Sequence, residues 1–227
     1  MKYRRTLAEI MRRVSPALRE RGKILRAFSE RIGLVYFGAV SQHHDDHSPI
    51  RGFTASLTHS DTHYAVGTYD GYNIRLVDRL DILHIPGRDN HQQTWTIIEI
   101  DLEIDEFPHV FFVPTGQNGE QYARLFATQP YLTPVNTLLS SSRTSPEFHG
   151  RYQLLARTTH AHHVNQLFDS PTIVAIAAHF WPYGIELQHG KLFIYLPQKK
   201  LTHTHLETAL RASFWLTSTL RESSKEL

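Results

Sequence analysis

Residues 94–115 read TWTIIEIDLEIDEFPHVFFVPT, the longest clean strand signal in the chain. In an extended backbone Ile98, Ile100, Leu102 and Ile104 point to one face, while Glu99, Asp101, Glu103 and Asp105 point to the other, because side chains alternate with a period of two. Pro108 interrupts the alternation, and Val110 to Val113 resumes as a continuous apolar run, the pattern of a neighbouring buried strand. With helical patterns at both ends of the chain, this predicts an α+β fold: a mainly antiparallel sheet with an N-terminal helical segment and C-terminal helices packed on it.

Just upstream, Ala65–Thr68 and Tyr72–Leu80 flank Asp70-Gly71. That dipeptide suits a two-residue hairpin turn, in which both central residues take φ > 0. In the second strand Tyr72, Ile74 and Leu76 share a face and leave Arg75 and Arg79 on the other. Pairing with the central strand is expected to set these arginines opposite Glu99, Asp101 or Glu103. The four acids read first as the wet face of a sheet. Paired-carboxylate catalysis needs, in addition, two acids in separated environments and a cleft.

Toward the N-terminus, Gly33 ends a helical stretch, and LVYFGAV (residues 34–40) reads as a buried strand. Before it Leu7, Met11, Val14, Leu18, Leu25, Phe28 and Ile32 follow a 4-3 spacing that skips only Arg21. Ser15-Pro16 suits an N-cap and first helical position, so two helices (3–14 and 16–31) or one kinked helix are expected. The stripe serves a helix packed on the sheet, a dimerising helix or a membrane-surface helix.

Downstream, residues 122–128 and 134–139 read as short helical turns before the polar linker 140–146. Tyr152 to Ala156 is a strand, a helix capped by Thr158 or Thr159 runs to Phe168, and Ser170-Pro171 starts another. A second hairpin is expected around His189-Gly190, and residues 202–220 form the closing helix. The domain reading is 1–32 as a basic amphipathic helical segment, 33–140 as a mainly antiparallel β subdomain, and 147–227 as an α+β subdomain, separate from or continuous with 33–140.

The Tyr69-Asp70-Gly71 turn, the strand around Ile97 to Leu102, Phe148 with Tyr152 and Ala156, and Leu192-Phe193-Ile194 before a terminal helix resemble a family of uncharacterised bacterial domains often found beside membrane segments. The resemblance spans residues 64–220. It implies a bacterial α+β domain and no known activity.

Composition narrows the function. The chain has 227 residues, 41% hydrophobic and 20% charged, which is ordinary for a folded protein. The absence of cysteine excludes disulfide scaffolds, thiol catalysis and Cys-based metal sites. No run approaches the roughly 18 apolar residues of a spanning helix, so a soluble, cytoplasmic protein, membrane-peripheral at most, is expected. Residues 1–31 hold ten Lys or Arg against three Glu, and the remainder holds 14 basic and 19 acidic residues. Such asymmetry points to an electrostatic partner: an acidic protein surface, a second copy or an anionic membrane. Nucleic acid fits poorly, because only Tyr3 and Phe28 interleave the basic residues and the acidic remainder repels phosphate.

Sixteen histidines form the other compositional signal. Two stretches have the form H-x-D-x-H: His43, Asp45, His47 and His59, Asp61, His63. Imidazole and carboxylate suit zinc or another divalent ion where three side chains converge at about 2.0–2.2 Å. Residues i and i+2 of a strand stand about 6.6 Å apart, so each triplet converges only if its loop curls. His160, His162 and His163 lack an accompanying HExxH, and no G-x-S-x-G, P-loop or G-x-G-x-x-G motif is present. The expectation is therefore a non-enzymatic interaction domain without a cofactor, acting through its basic N-terminal segment. A metal-dependent hydrolase using the loop His and Asp residues is the alternative.

Overall fold

The computed structural model describes residues 16–39, 60–83, 91–104, 107–116, 129–135, 146–197 and 200–225. In chain order these give α1 (Pro16–Arg31), β1 (Val35–Ala39), β2 (Ser60–Tyr69), β3 (Tyr72–Leu83), β4 (His91–Asp101), β5 (Val110–Pro114), β6 (Thr133–Pro134), α2 (Pro146–Arg151), β7 (Tyr152–Ala156), a 3-10 turn (Thr158–His160), α3 (Ala161–Leu167), α4 (Ser170–Phe180), β8 (Gly184–Gln188), β9 (Lys191–Leu196) and α5 (His203–Lys225). The strands form one sheet in the order β1-β2-β3-β4-β9-β8-β5-β7-β6, antiparallel throughout. The α+β architecture expected from the central stretch is present. Strands from either side of 140–146 are paired with each other, β4 with β9 and β5 with β7 and β8.

Both hairpins turn where local chemistry placed them. Asp70 (φ 52) and Gly71 (φ 78) join β2 to β3, and His189 (φ 50) and Gly190 (φ 68) join β8 to β9, each with two consecutive residues at positive φ. Gly190 is also constrained by space: a Cβ there would lie 2.3 Å from the carbonyl oxygen of Ile104. Its own carbonyl accepts from Leu102 N–H at 2.8 Å, tying the turn to the end of β4.

Helices cover one face of the sheet. α1 contributes Leu25 and Phe28, α3 Val164 and Leu167, α4 Ile173, Ile176, Ala177 and Phe180, and α5 Leu206, Leu210, Leu216 and Leu220, all buried against Ile98, Ile100, Phe112, Ile185 and Ile194. Burying a side chain of this size contributes about 1.5–3 kcal/mol, which makes this layer the main source of stability. α1 is thus part of the core, and residues 16–31 of the basic segment take the sheet-packed option. The companion helix over 3–14 lies outside the described residues.

The carboxylate side of β4 departs from expectation. Trp95 and Ile97 share that side with Glu99, and with Val77, Phe111, Phe193 and Tyr195 they form a second buried cluster. Glu99 is only 3% exposed. The alternation beginning at residue 98 catches the acids but leaves out the preceding large apolar residues on the same face. β4 ends at Asp101, so Glu103, at φ 55, lies beyond the strand, and Asp105 is outside the described residues.

Smaller features also differ. β1 is an edge strand that exposes Val35 and Phe37 rather than a buried one. Thr158 to His160 form a 3-10 turn, and α3 begins at Ala161 with His160 at its N-cap and no side-chain cap. Pro134 belongs to an edge strand, because Thr133 and Pro134 pair with β7 and Val135 N–H donates to Leu154 O. Residues 122–128 and 136–139 lie outside the described residues. α4 is capped by Asp169, whose carboxylate accepts from Thr172 N–H at 2.8 Å, so Ser170 and Pro171 are already in the first turn. A carboxylate both accepts from the unsatisfied amides of a helix start and sits favourably at the positive end of the helix dipole.

Candidate functional site

The arginine that breaks the α1 stripe is inserted into the structure. Arg21 is 4% exposed, and its Nε donates to Asp78 Oδ2 at 2.5 Å while Nη2 donates to Thr96 Oγ1 at 2.5 Å. Thr96 Oγ1 in turn donates to Asp78 Oδ1 at 2.7 Å. Asp78 and Thr96 face each other across β3 and β4. The group is a buried, charge-paired network that docks α1 on the sheet.

Of the six residues singled out for metal, His43, Asp45, His47 and His59 lie outside the described residues. Asp61 accepts from Arg79 Nε at 2.7 Å and Nη2 at 2.8 Å, a bidentate pair with Arg79 fully buried. His63 sits in the β2 bulge at φ 56, its Nδ1 2.6 Å from Tyr36 Oη. Its ring lies so close to α1 that a Cβ on Gly22 would come within 2.5 Å of it. Burial pushes the His63 imidazole below its ordinary 6.5, the Asp78 charge partly opposing and Arg21 assisting. Among the described residues no group of three or more His, Asp or Glu is placed to hold a metal ion.

The expected cross-strand neutralisation holds for one arginine. Arg75 stands opposite Glu99 in the register and donates to it at 2.7 Å, joined by Lys191 from β9 at 2.8 Å. Arg79 stands opposite Trp95 and is taken up by Asp61 instead.

Like Asp78, a further buried carboxylate escaped the sequence reading. Glu186, fully buried in β8, binds Tyr195 Oη and stands 2.7 Å from His109 Nε2. His109 Nδ1 is 3.2 Å from Tyr131 Oη, which donates to Gln129 Oε1 at 3.0 Å, and the Arg157 guanidinium lies over the Tyr131 ring, 4.3 Å from its centroid. Burial pushes the Tyr131 hydroxyl up and Arg157 draws it down. The only sequence signal was one acid in the apolar strand GIELQ; the partner, 77 residues away, had none.

The outer face of the helical layer carries exposed apolar side chains beside Arg211. α4 spends Ile173, Ile176, Ala177 and Phe180 on the core, which leaves Val174 and His179 outward. α5 spends Leu206, Leu210, Leu216 and Leu220, and its exposed ridge runs Thr208, Arg211, Trp215, Ser218. Trp215 packs one side of its ring toward Phe180, centroids 6.4 Å apart. Between α4 and α5 lies a cleft of about 460 Å³ lined by Ala175, His179, Thr208, Arg211, Ala212 and Trp215. A second, also about 460 Å³, separates α5 from α1 and the first hairpin, with Phe28 and Phe214 in its wall and Arg211 on its rim. Arg31 and Glu207 meet across it at 2.6 Å. On α1 itself Arg19, Lys23 and Arg26 are exposed, Lys23 and Arg26 contacting Glu20 and Glu30 within the helix.

No family model matches the chain, and no curated protein matches it significantly. Among solved structures, the fold is similar to the crystal structure of the mycobacterial trehalose monomycolate transport factor A, TtfA, with a TM-score of 0.58 and 11% identity over 88% of this chain and 94% of that one, a likeness of fold.

Proposed function

We propose that the chain is a non-enzymatic interaction domain that associates with an anionic surface, foremost a lipid bilayer, through its basic N-terminal segment. One observation carries this reading. α1 is held to the sheet by Arg21, Leu25 and Phe28 while Arg19, Lys23 and Arg26 stay in solvent, directly following the basic residues 2–13 in the chain. The engagement of Asp61, Asp78, Glu99 and Glu186 by protein side chains supports a structural role for these acids. TtfA is described as a transport factor, which is consistent with a helper role for this fold. The metal-dependent alternative rests on residues 43, 45, 47 and 59 and draws no support from the placements of Asp61 and His63.

Because α1 belongs to the core, deleting residues 1–31 would unfold the protein, and the test uses charge reversal instead. The full chain and a variant with Arg4, Arg5, Arg12 and Arg13 changed to Glu are compared by co-sedimentation with phosphatidylcholine vesicles, with and without phosphatidylglycerol, at two salt concentrations. Binding to the anionic vesicles is expected to fall about tenfold or more on reversal and to weaken with salt, since each basic residue near such a surface contributes about 1 kcal/mol. Light scattering in parallel reports a second copy, and pull-down with an acidic protein a protein partner. Vesicle binding that is absent, or indifferent to the reversal, refutes the reading.

A further inference from the structure

The geometry points to a second contact with the same anionic bilayer: Val174, Trp181 and Trp215 enter the boundary between headgroups and acyl chains, and Arg211 binds lipid phosphate beside them. The inference rests on the reading above in taking a lipid surface as the partner, and adds a site that the basic segment does not contain.

Three observations carry it. First, Val174 on α4, Trp181 just past the end of α4 and Trp215 on α5 keep 41%, 39% and 40% of their surface exposed, and the inner faces of both helices are already filled by the core. Tryptophan has an apolar ring and one N–H, the combination that favours the interfacial zone of a bilayer. Second, the described residues that line the cleft beside Trp215 include no carboxylate, and α4 contains no acidic residue from Ser170 to Phe180. Third, Arg211 makes no ion pair or hydrogen bond with any described residue, although it borders both clefts. On the far side of α5 Glu207 is committed to Arg31, and Asp70, in the hairpin turn, is the remaining acid of that cleft. A guanidinium left unpaired beside half-exposed indoles matches a phosphate above an apolar layer.

Charge also separates the possible occupants. A two-fold contact through this face would bring two copies of Arg211 together, while Glu207 in the adjoining cleft is already held by Arg31. A bilayer of anionic lipid supplies many phosphates and an apolar layer together. α1, α4 and α5 lie on the same side of the sheet, so this face and the exposed basic residues of α1 belong to one helical layer.

The test uses the full chain with vesicles of phosphatidylcholine and phosphatidylglycerol, read by flotation and by tryptophan emission. Trp95 is fully buried, so the emission change on binding reports Trp181 and Trp215. The expected result is a blue shift with anionic vesicles, with Arg211→Glu and Trp215→Ser each weakening partitioning by about tenfold. Val174→Asp, at an exposed position, is a further variant should Trp215→Ser reduce the melting temperature. If these variants partition like the wild type while reversal of Arg4, Arg5, Arg12 and Arg13 abolishes binding, this inference falls and the first reading stands. If they lose binding while the reversal has no effect, the helical face stands and the role given to the basic segment falls. Self-association abolished by Trp215→Ser, without vesicle binding, would overturn both in favour of a second copy.

Discussion

Replacing Arg21 with Met keeps most of the side-chain volume and removes the charge from the network under α1. Among the described residues Asp78, 3% exposed, would keep only Thr96 as a side-chain hydrogen-bond partner. Breaking a buried ion pair by removing one member costs about 3–5 kcal/mol, most of it the desolvated charge left behind. That is a large fraction of the roughly 5–15 kcal/mol that holds a typical domain folded. For a chain of this length the melting temperature should drop by roughly 6–20 °C. Urea unfolding followed by circular dichroism is the assay, with an unchanged m-value showing that the native state is still compact. The companion Arg21→Met with Asp78→Leu should recover most of the loss, because apolar replacement of a whole buried pair is often close to neutral. An Arg21→Met protein within about 1 kcal/mol of the wild type would refute the claim that this network docks α1.

Two further outcomes follow from the geometry. Gly190→Ala should destabilise strongly, by about 2 kcal/mol or more, because the new methyl meets the Ile104 carbonyl at 2.3 Å and the residue is held at φ 68; comparison with Gly71→Ala, where a Cβ meets nothing, isolates the steric part in thermal melts. His63 is held below its ordinary 6.5, so below that pH the unfolded chain takes up a proton that the folded one resists, and stability falls as pH drops from 6.5 toward the folded value. His63→Asn, which tolerates the positive φ, should therefore show a smaller loss of melting temperature between pH 7 and pH 5 than the wild type, and an equal loss would exclude His63 as the cause.

Much of the fold was legible because its signals are local. Asp70-Gly71 and His189-Gly190 specify their turns through their own backbone preferences, and both hairpins formed there. The alternation at residues 98–102 marks a central strand, since only a period of two sorts Ile from Glu in that way. The stripe in residues 18–32 marks a helix with a buried face, and its one polar interruption is the residue that carries the buried network. The candidate surface was less legible: no local pattern singles out Trp181 and Trp215, and their exposure was set only once the helices were placed and their inner faces filled by other residues.

By itself, then, the sequence determined the class of fold, the two hairpin turns, the helical stripe and the separation of a basic front end from an acidic remainder. All of these depend on neighbours within a few residues, where dihedral preference and periodicity act directly. Only the tertiary structure decided that Arg21 meets Asp78 across 57 residues, that Glu186 meets His109 across 77, and that the acidic face of β4 is buried. Those outcomes depend on strand order and on which side chains share a face once the sheet is assembled. They are properties of the packed whole, where desolvation makes each buried charge find a partner that no local pattern announces.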